Sequence, residues 1–321
     1  MLIFAPNHSA SFAGKIVQHL GGTLAPSEER EFDGGEHKMR PLVDVRGQDV
    51  YVVHSIHGDA RASANDKLCR LLFLIGALKD AGAATVTACL PYLAYARKDR
   101  RTQPRDPVTL RYVAAMFEAV GVDRIIVLDV HNDAAFDNAF RCETLRLEAA
   151  ETFCDSLAAS LGDSPVVVAS PDVGGVKRAQ RFRETLAAKL AREVDFAFME
   201  KRRAGGVVSG ETFIGKVDGC DLILCDDLIA SGTTILRASA AARSAGAKRV
   251  YVAATHAAFT PAALQLFAAA GPESVLVSDS IALPADFASQ PTRRLALCSV
   301  APIFARTIAQ IEAATAARTR I

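Results

Sequence analysis

The chain has 321 residues, enough for about two domains of ordinary size. With 50% hydrophobic and 23% charged residues it has a globular composition, and no stretch is apolar for long enough to span a membrane. Lys plus Arg total 37 against 36 Asp plus Glu, and a net charge of +1 argues against a general polyanion or nucleic-acid binder. Leu2 to Ala5 reads as a first strand and Ser9 to Leu20 as a helix stopped at Gly21 and Gly22. The next stretch, EREFDGGEHKMRPLVDVRGQDVYVVHS, has the alternation of a hairpin and then runs into a strand at Val50 to Val53. Asn65 to Ala81 is amphipathic and closed by Gly82, and Thr85 to Leu90 is the next apolar strand. Pro107 to Ala119 forms another helix, ended at Gly121, with a strand following at Ile125 to Val130.

This rhythm of helix, small-residue stop and apolar strand predicts βα units around a mainly parallel sheet. It recurs in the second half, where AARSAGAKRVYVAATH matches the earlier ALKDAGAATVTACLPY as helix end, AGA stop and buried strand. VLDVHN and VVASPD are likewise similar strand ends that carry polar residues. The pattern predicts two similar α/β domains, over residues 1–148 and 149–301, with a closing helix at 302–321 packed back on the first. Seven cysteines form no CxxC pair and lie mostly in apolar surroundings, as reduced core residues of a cytoplasmic protein do. MLIFAPNHSA has no basic segment leading a long apolar run, so no signal peptide is read there.

The segment with the clearest chemistry is DLILCDDLIASGTTIL, Asp221 to Leu236. Leu222 to Leu224 is a short buried-strand run, Asp226 and Asp227 stand at its end, and a helical pattern begins after Thr234. A helix N-terminus offers outward N–H groups and a favourable dipole to an anion such as phosphate. Gly232 lets the backbone approach that anion, and Ser231, Thr233 and Thr234 add hydroxyl donors. The two carboxylates repel phosphate, and suit sugar hydroxyls or a metal ion instead. The whole arrangement resembles the phosphoribosyl-binding loop of the type I phosphoribosyltransferase fold. In that fold two acidic residues grip the ribose hydroxyls and the turn holds the 5-phosphate.

Other polar motifs fall at expected strand ends. PYLAYARKDRRTQPRDP carries Arg97, Lys98, Asp99, Arg100, Arg101 and Arg105 at the carboxyl end of a strand, where α/β sheets bind ligands. Guanidiniums clustered there suit a polyphosphate, although a charge run is equally a solvated loop. His131 follows VLDV and Asp172 follows VVASP. Both offer ligands to Mg²⁺, directly or through water, although that ion prefers oxygen. VGGVKRA after Asp172 enters a helix as a second, weaker phosphate-type turn. FMEKRRAGG places Lys201, Arg202 and Arg203 after a strand. On a mobile loop such a tip closes over a reacting phosphate, and otherwise it is a solvent-exposed charged hairpin.

Taken together, SANDKL, PYLAYARKDR, PRDPVT, the DVH strand end, SPDVGGVKRA, KRR, DDLIASGTT and CSVAP resemble one family over nearly the whole chain, ribose-phosphate pyrophosphokinase. The resemblance implies two similar domains of type I phosphoribosyltransferase-like fold, an ATP-side N-terminal domain and a C-terminal domain for ribose 5-phosphate. It implies transfer of the β,γ-pyrophosphoryl group of ATP to the 1-hydroxyl of ribose 5-phosphate, with Mg²⁺, giving phosphoribosyl pyrophosphate and AMP. By the same resemblance Arg97, Lys98, Asp99 and Arg105 meet ATP, and Phe32 and Glu36 belong to the hairpin that receives adenine, which in the family is supplied by a neighbouring subunit. His131 and Asp172 are linked to the metal. Lys201 and Arg203 stabilise the transition state, Asp226 and Asp227 hold the ribose hydroxyls, and Ser231 to Thr234 hold the 5-phosphate. A homo-oligomer, dimer-based and commonly hexameric, follows from such a composite site. Phosphoryl-type transfer depends chiefly on positioning and charge neutralisation, and these charges supply both.

The pattern departs from the family in several places. Gly34 stands where the adenine hairpin usually has Asp or Asn, and Ala230 where many members have Asp. NDAAFDNAF replaces a Gln-rich stretch, Asp44 replaces the Ser before VRG, and AATAARTRI lacks a serine-rich regulatory tail. These changes lead to an expectation of little regulation by ADP or phosphate. A phosphoribosyltransferase would use the same Asp226-to-Thr234 loop, but the N-terminal domain and the Arg97 loop argue against it. A non-catalytic regulatory relative is a further alternative, against which stand the intact Asp172, Lys201, Arg203, Asp226 and Asp227.

Overall fold

The computed structural model describes residues 1–204, 207–288 and 294–318, without the side chains of 201–204, 207–211 and 318. The chain begins with β1 (Leu2–Phe4), α1 (Ala10–His19), β2 (Ser27–Glu31), β3 (His37–Pro41), β4 (Asp49–Val53) and α2 (Ala64–Asp80). It continues with β5 (Thr85–Leu90), α3 (Thr109–Ala119), β6 (Arg124–Leu128), α4 (Asp133–Ala139) and β7 (Glu143–Leu147). Next come α5 (Ala150–Ala158), β8 (Val166–Ser170), α6 (Val176–Leu190), β9 (Asp195–Ala204), β10 (Val207–Ile214) and β11 (Asp221–Ile229). The last elements are α7 (Thr233–Ser244), β12 (Arg249–Ala257), β13 (Ser274–Ser278), α8 (Ala285–Ala288), β14 (Leu295–Cys298) and α9 (Ala301–Arg318).

These elements divide into two compact units, Met1–Leu147 with Val300–Ile321, and Glu148–Ser299. In the first unit β1-β4-β5-β6-β7 form one sheet, parallel throughout, and β2 and β3 pair antiparallel as a separate hairpin. Phe4, Val50, Val52, Ala88, Leu90, Ile125 and Val127 come from its strands into one apolar core with Leu71, Leu74, Ile75 and Leu78 of α2. Strands buried on both faces need continuous apolar runs, which is why YVV, VTACL and RIIVL read so plainly. On α2 a capping box closes the first turn: Ser63 Oγ accepts the Asp66 N–H, and Asp66 accepts the Ser63 N–H. α9 comes back against α1, with the rings of Phe12 and Phe304 edge to face at 5.8 Å. From the same helix Glu312 accepts a 2.8 Å hydrogen bond from the Tyr51 hydroxyl of β4.

The second unit holds a seven-stranded sheet in the order β10-β9-β8-β11-β12-β13-β14, in which only the β9–β10 pair is antiparallel. Its core joins Val167, Leu222, Leu224, Val250, Val252, Val275 and Val277 of the strands to Ile235, Ala238 and Ala242 of α7. The strand order reverses between β8 and β11, because β8 leads outward to β9 and β11 leads outward the other way to β12. An open α/β sheet forms its binding crevice at such a reversal, outside the carboxyl ends of the two strands. None of the described helices is long and apolar enough to cross a membrane.

The architecture is the α/β fold expected, with mainly parallel sheets flanked by helices. Several boundaries differ. β6 ends at Leu128 and not Val130, because Asp129 takes a left-handed φ of 39° and turns the chain out of the ladder. α3 starts at Thr109, two residues beyond Pro107. β9 does not stop before Lys201: its pairing with β10 continues through Lys201, Arg202, Arg203 and Ala204.

Candidate active site

Two strand ends meet at the reversal of the second sheet. β8 is buried along its whole length and delivers Asp172 two residues later, where the Asp172 side chain caps a short turn by accepting the Gly175 N–H at 3.2 Å. Ser170 Oγ donates to the Asp172 carbonyl at 2.6 Å and braces the same turn. Gly175 is held small by this bracing, since a β-carbon there would lie 2.6 Å from Ser170 Oγ. On the adjacent β11, Asp221 and the pair Asp226–Asp227 stand at opposite ends and have opposite fates. Asp221 is fully buried and clamped by Arg249 at 2.8 and 2.5 Å, a structural ion pair. Asp226 and Asp227 sit at the carboxyl end, where Asp227 donates its N–H to Asp226 Oδ1 at 2.8 Å. Burial and the adjacent Asp227 charge push the Asp226 carboxyl well above the usual carboxylate range, and Arg178 acts in the opposite direction. Arg178 Nη1 lies 3.7 Å from Asp227 Oδ1.

The chain then turns through Ala230 and Ser231 into α7, a helix of 12 residues. Thr260 donates its N–H to the Ala230 carbonyl at 3.1 Å, which fixes the turn from outside. Gly232 is the residue before the helix, with φ at 76°. It is there for two reasons: L side chains rarely adopt that φ, and a β-carbon would fall 2.8 Å from two carbons of the buried Leu266. Glycine also brings no capping oxygen, so the first-turn N–H groups of α7 face outward as anion donors. Ser231 Oγ lies 3.0 Å from Thr233 Oγ1 and only weakly, at 3.4 Å, from the Thr233 N–H. Thus Ser231, Gly232, Thr233 and Thr234 come together at one helix end, beside Asp226 and Asp227 on the preceding strand.

In the first unit the loop after β5 is tightly built. Tyr95 takes a φ of 65°, and the Lys98 N–H donates to the Tyr95 carbonyl at 2.8 Å. Asp106 accepts from Thr102 N–H, Thr102 Oγ1 and Gln103 N–H at 3.1, 2.7 and 2.8 Å. Those bonds hold its carboxyl below the usual range. Arg97, Lys98 and Arg105 are exposed on this frame. Asp99 accepts from Asn132 Nδ2 at 2.8 Å, which ties the loop to the end of β6 next to His131. The structure thus brings Arg97, Lys98 and Asp99 to the same end of the sheet as His131.

The β2–β3 hairpin carries Phe32 and Glu36 at its tip, closed by a 2.8 Å bond from the Phe32 N–H to the Glu36 carbonyl. Phe32 is 41% exposed, with the Arg30 guanidinium 5.0 Å from its ring centroid. Gly34 has φ at 84°, and a β-carbon there would meet nothing within 4 Å, so its left-handed turn and not crowding selects glycine. The hairpin is held to α2 by Arg70, 2.6 Å from Glu31. The side chains of Lys201 and Arg203 lie outside the described residues.

Residues 1–121 match the model of the N-terminal domain of ribose phosphate pyrophosphokinase, and residues 144–275 that of the phosphoribosyl transferase domain. The ribose-phosphate pyrophosphokinase of Caldanaerobacter subterraneus subsp. tengcongensis is 36% identical over 314 residues, 96% of this chain and 94% of its own. That of Vibrio parahaemolyticus is 36% identical over 320 residues, 97% of this chain and 96% of its own. The chain belongs to the ribose-phosphate pyrophosphokinase family. A crystal structure of phosphoribosylpyrophosphate synthetase from Mycobacterium smegmatis matches with a TM-score of 0.86 at 31% identity, over 97% of this chain and 98% of that one. The resemblance read from the motifs is borne out, and the activity is that of a ribose-phosphate pyrophosphokinase.

Three residues of this ribose-phosphate pyrophosphokinase were not singled out from its sequence. Asn132 and Asp106 act on the loop at Arg97 through contacts that only the fold creates. Arg178 was visible only as part of VGGVKRA. Its signal was a basic residue in the first turn of a helix that has no acidic residue there, against the preference of the helix dipole.

Proposed function

We propose that the β8–β11 crevice takes ribose 5-phosphate and that the loops after β5 and β6 take the phosphates of ATP. The observation that carries this reading is the pairing of two adjacent carboxylates with an uncapped helix N-terminus at a sheet reversal. A diol needs acceptors and a phosphomonoester needs N–H donors, and the two requirements are met in that order along Asp226 to Thr234. Held at both ends, the sugar presents its 1-hydroxyl to the β-phosphorus of ATP. The new bond forms from that oxygen to the β-phosphorus, the bond from the β-phosphorus to the AMP oxygen breaks, and the hydroxyl proton is released. Arg97, Lys98 and Arg105 offset charge on the triphosphate, Asp99 holds the loop that carries them, and Lys201 and Arg203 stabilise charge as it develops. Phe32 offers an apolar ring and Glu36 an acceptor for adenine, in the family's manner from a neighbouring copy.

The donor set fits Mg²⁺ held jointly with substrate. Among the described residues no cluster of three or more His, Cys, Asp or Glu could hold a metal, and Mg²⁺ is commonly bound by one or two carboxylates, water and substrate phosphates. Asp172, exposed and already oriented by its bond to Gly175, and His131 would be its protein contacts. When bound, the ion would neutralise charge on the pyrophosphoryl group.

AMP release from ATP, in Mg²⁺ with and without ribose 5-phosphate, tests the assignment. Strict dependence on the sugar phosphate, with phosphoribosyl pyrophosphate as co-product, is expected. Conversion of phosphoribosyl pyrophosphate and a base to a nucleotide, without AMP release, would replace the reading with a phosphoribosyltransferase. Repeating the assay over inorganic phosphate addresses regulation. Asp44 is exposed and accepts the Arg46 N–H at 3.0 Å, so it places a carboxylate in the VRG turn, and little dependence on phosphate is expected.

A further inference from the structure

We propose that Arg178 is the positioning residue of the sugar site, fixing the direction of the Asp227 carboxylate that receives the ribose hydroxyls. The inference rests on the assignment of Asp226 and Asp227 to the sugar. Arg178 is the third residue of α6, at the positive end of the helix, where a cation is disfavoured by the dipole. Its side chain is nevertheless only 15% exposed, so a guanidinium has been taken out of water at an unfavourable place. A carboxylate that is itself 10% exposed, Asp227, faces it with Nη1 to Oδ1 at 3.7 Å and contributes to offsetting both costs.

The same ion pair answers a difficulty at the end of β11. Two neighbouring carboxylates in a buried setting repel one another, and they must also admit an anionic sugar phosphate. Burial first and the Asp227 charge second raise the Asp226 carboxyl. The Arg178 guanidinium, planar and permanently charged, lies against Asp227 and also acts against the rise of the Asp226 carboxyl. Asp226 has an anchor of its own, the Asp227 backbone N–H on its Oδ1, so Arg178 on the Asp227 side chain leaves both carboxylates held in place. Arg178 needs no contact with substrate for this, and its effect falls on the sugar and not on ATP.

The test compares Arg178→Gln, Arg178→Lys, Asp227→Asn and the Arg178→Gln/Asp227→Asn double variant in the full chain. KM is measured separately for ribose 5-phosphate and ATP, and folding is checked by thermal melting. Arg178→Gln is expected to raise the KM for ribose 5-phosphate about tenfold or more and to leave that for ATP within about twofold. Arg178→Lys is expected to recover most of the loss, and Arg178→Gln to add little once Asp227 is Asn. An unchanged KM for the sugar phosphate in Arg178→Gln, an equal rise for ATP, or additivity with Asp227→Asn overturns the proposal. An unchanged KM in Asp227→Asn removes the sugar-site assignment itself, a separate failure. Should Arg178→Gln lose its melting transition, Arg178→Lys with and without Asp227→Asn reads the same coupling, and additivity there is equally fatal.

Discussion

Gly232→Ala is expected to lower the apparent affinity for ribose 5-phosphate about 100-fold or more and to destabilise the second unit by roughly 2–5 kcal/mol. The added methyl is the smallest available probe, yet two independent penalties fall on it. A left-handed φ of 76° costs an L residue about 1–2 kcal/mol. A β-carbon 2.8 Å from Leu266 forces repacking of a fully buried side chain, for about 1–3 kcal/mol more. Any relaxation tilts the first turn of α7, and its N–H groups lose their aim at the phosphate. Leu266→Ala, made in the same background, separates the two causes, because it opens the space and leaves the backbone strain. A KM for ribose 5-phosphate within twofold of the parent in Gly232→Ala would remove Gly232 from the phosphate site.

The second large effect is a trade between stability and binding at Asp226. Its carboxyl is raised above the usual value by burial first and by the Asp227 charge second. The sign follows from linkage. The folded chain holds this proton more tightly than the unfolded chain does, so the stabilisation is fully present below the unfolded carboxylate range, near pH 4. It is lost as pH rises through the raised folded value. Asp226→Asn keeps the shape and removes the titration. Without substrate it is expected to melt a few degrees higher than the parent near pH 7.5, by about 2–4 °C, with the difference closing as pH falls toward 4. The cost appears in function, where an acceptor oxygen becomes an amide donor and the KM for ribose 5-phosphate rises roughly 10- to 100-fold. A lower melting temperature for Asp226→Asn at neutral pH would show that the Asp226 charge supports the fold, contrary to this account.

Much of the site could be read along the chain because its parts are contiguous. Asp226 to Thr234 holds acceptors, turn and helix start within one strand-to-helix crossing, and the structure adds chiefly the reason Gly232 is glycine. Arg97 to Arg105 was legible as a basic loop, but its shape depends on Asp106 and its attachment on Asn132, contacts that composition cannot show. Asp129 illustrates the limit at strand ends: the apolar Val130 suggested continuation, and one left-handed residue ended the strand. β7 was overlooked because ETLRL carries Glu143 and Arg146 among its few residues. These strand charges are spent on Arg124 and on Asp133 and Asp137, partners supplied only by the folded sheet edge. Arg178 escaped for a related reason, since its partner is 49 positions away along the chain and becomes a neighbour only when β11 joins β8.

The return of α9 to α1 and β4 has a bearing on how the chain is made. The first unit closes with Phe304 against Phe12 and Glu312 on Tyr51, so part of it leaves the ribosome after all of the second unit. The usual order of folding during synthesis, amino end first, is therefore expected to invert here. Glu148–Ser299 is one continuous stretch and can close while the earlier residues still wait for their last helix. Protease protection of chains stalled at increasing lengths reads that order: the second unit gains resistance first. Protection of residues 1–147 before residue 300 has been translated would show that α9 docks on an already finished unit.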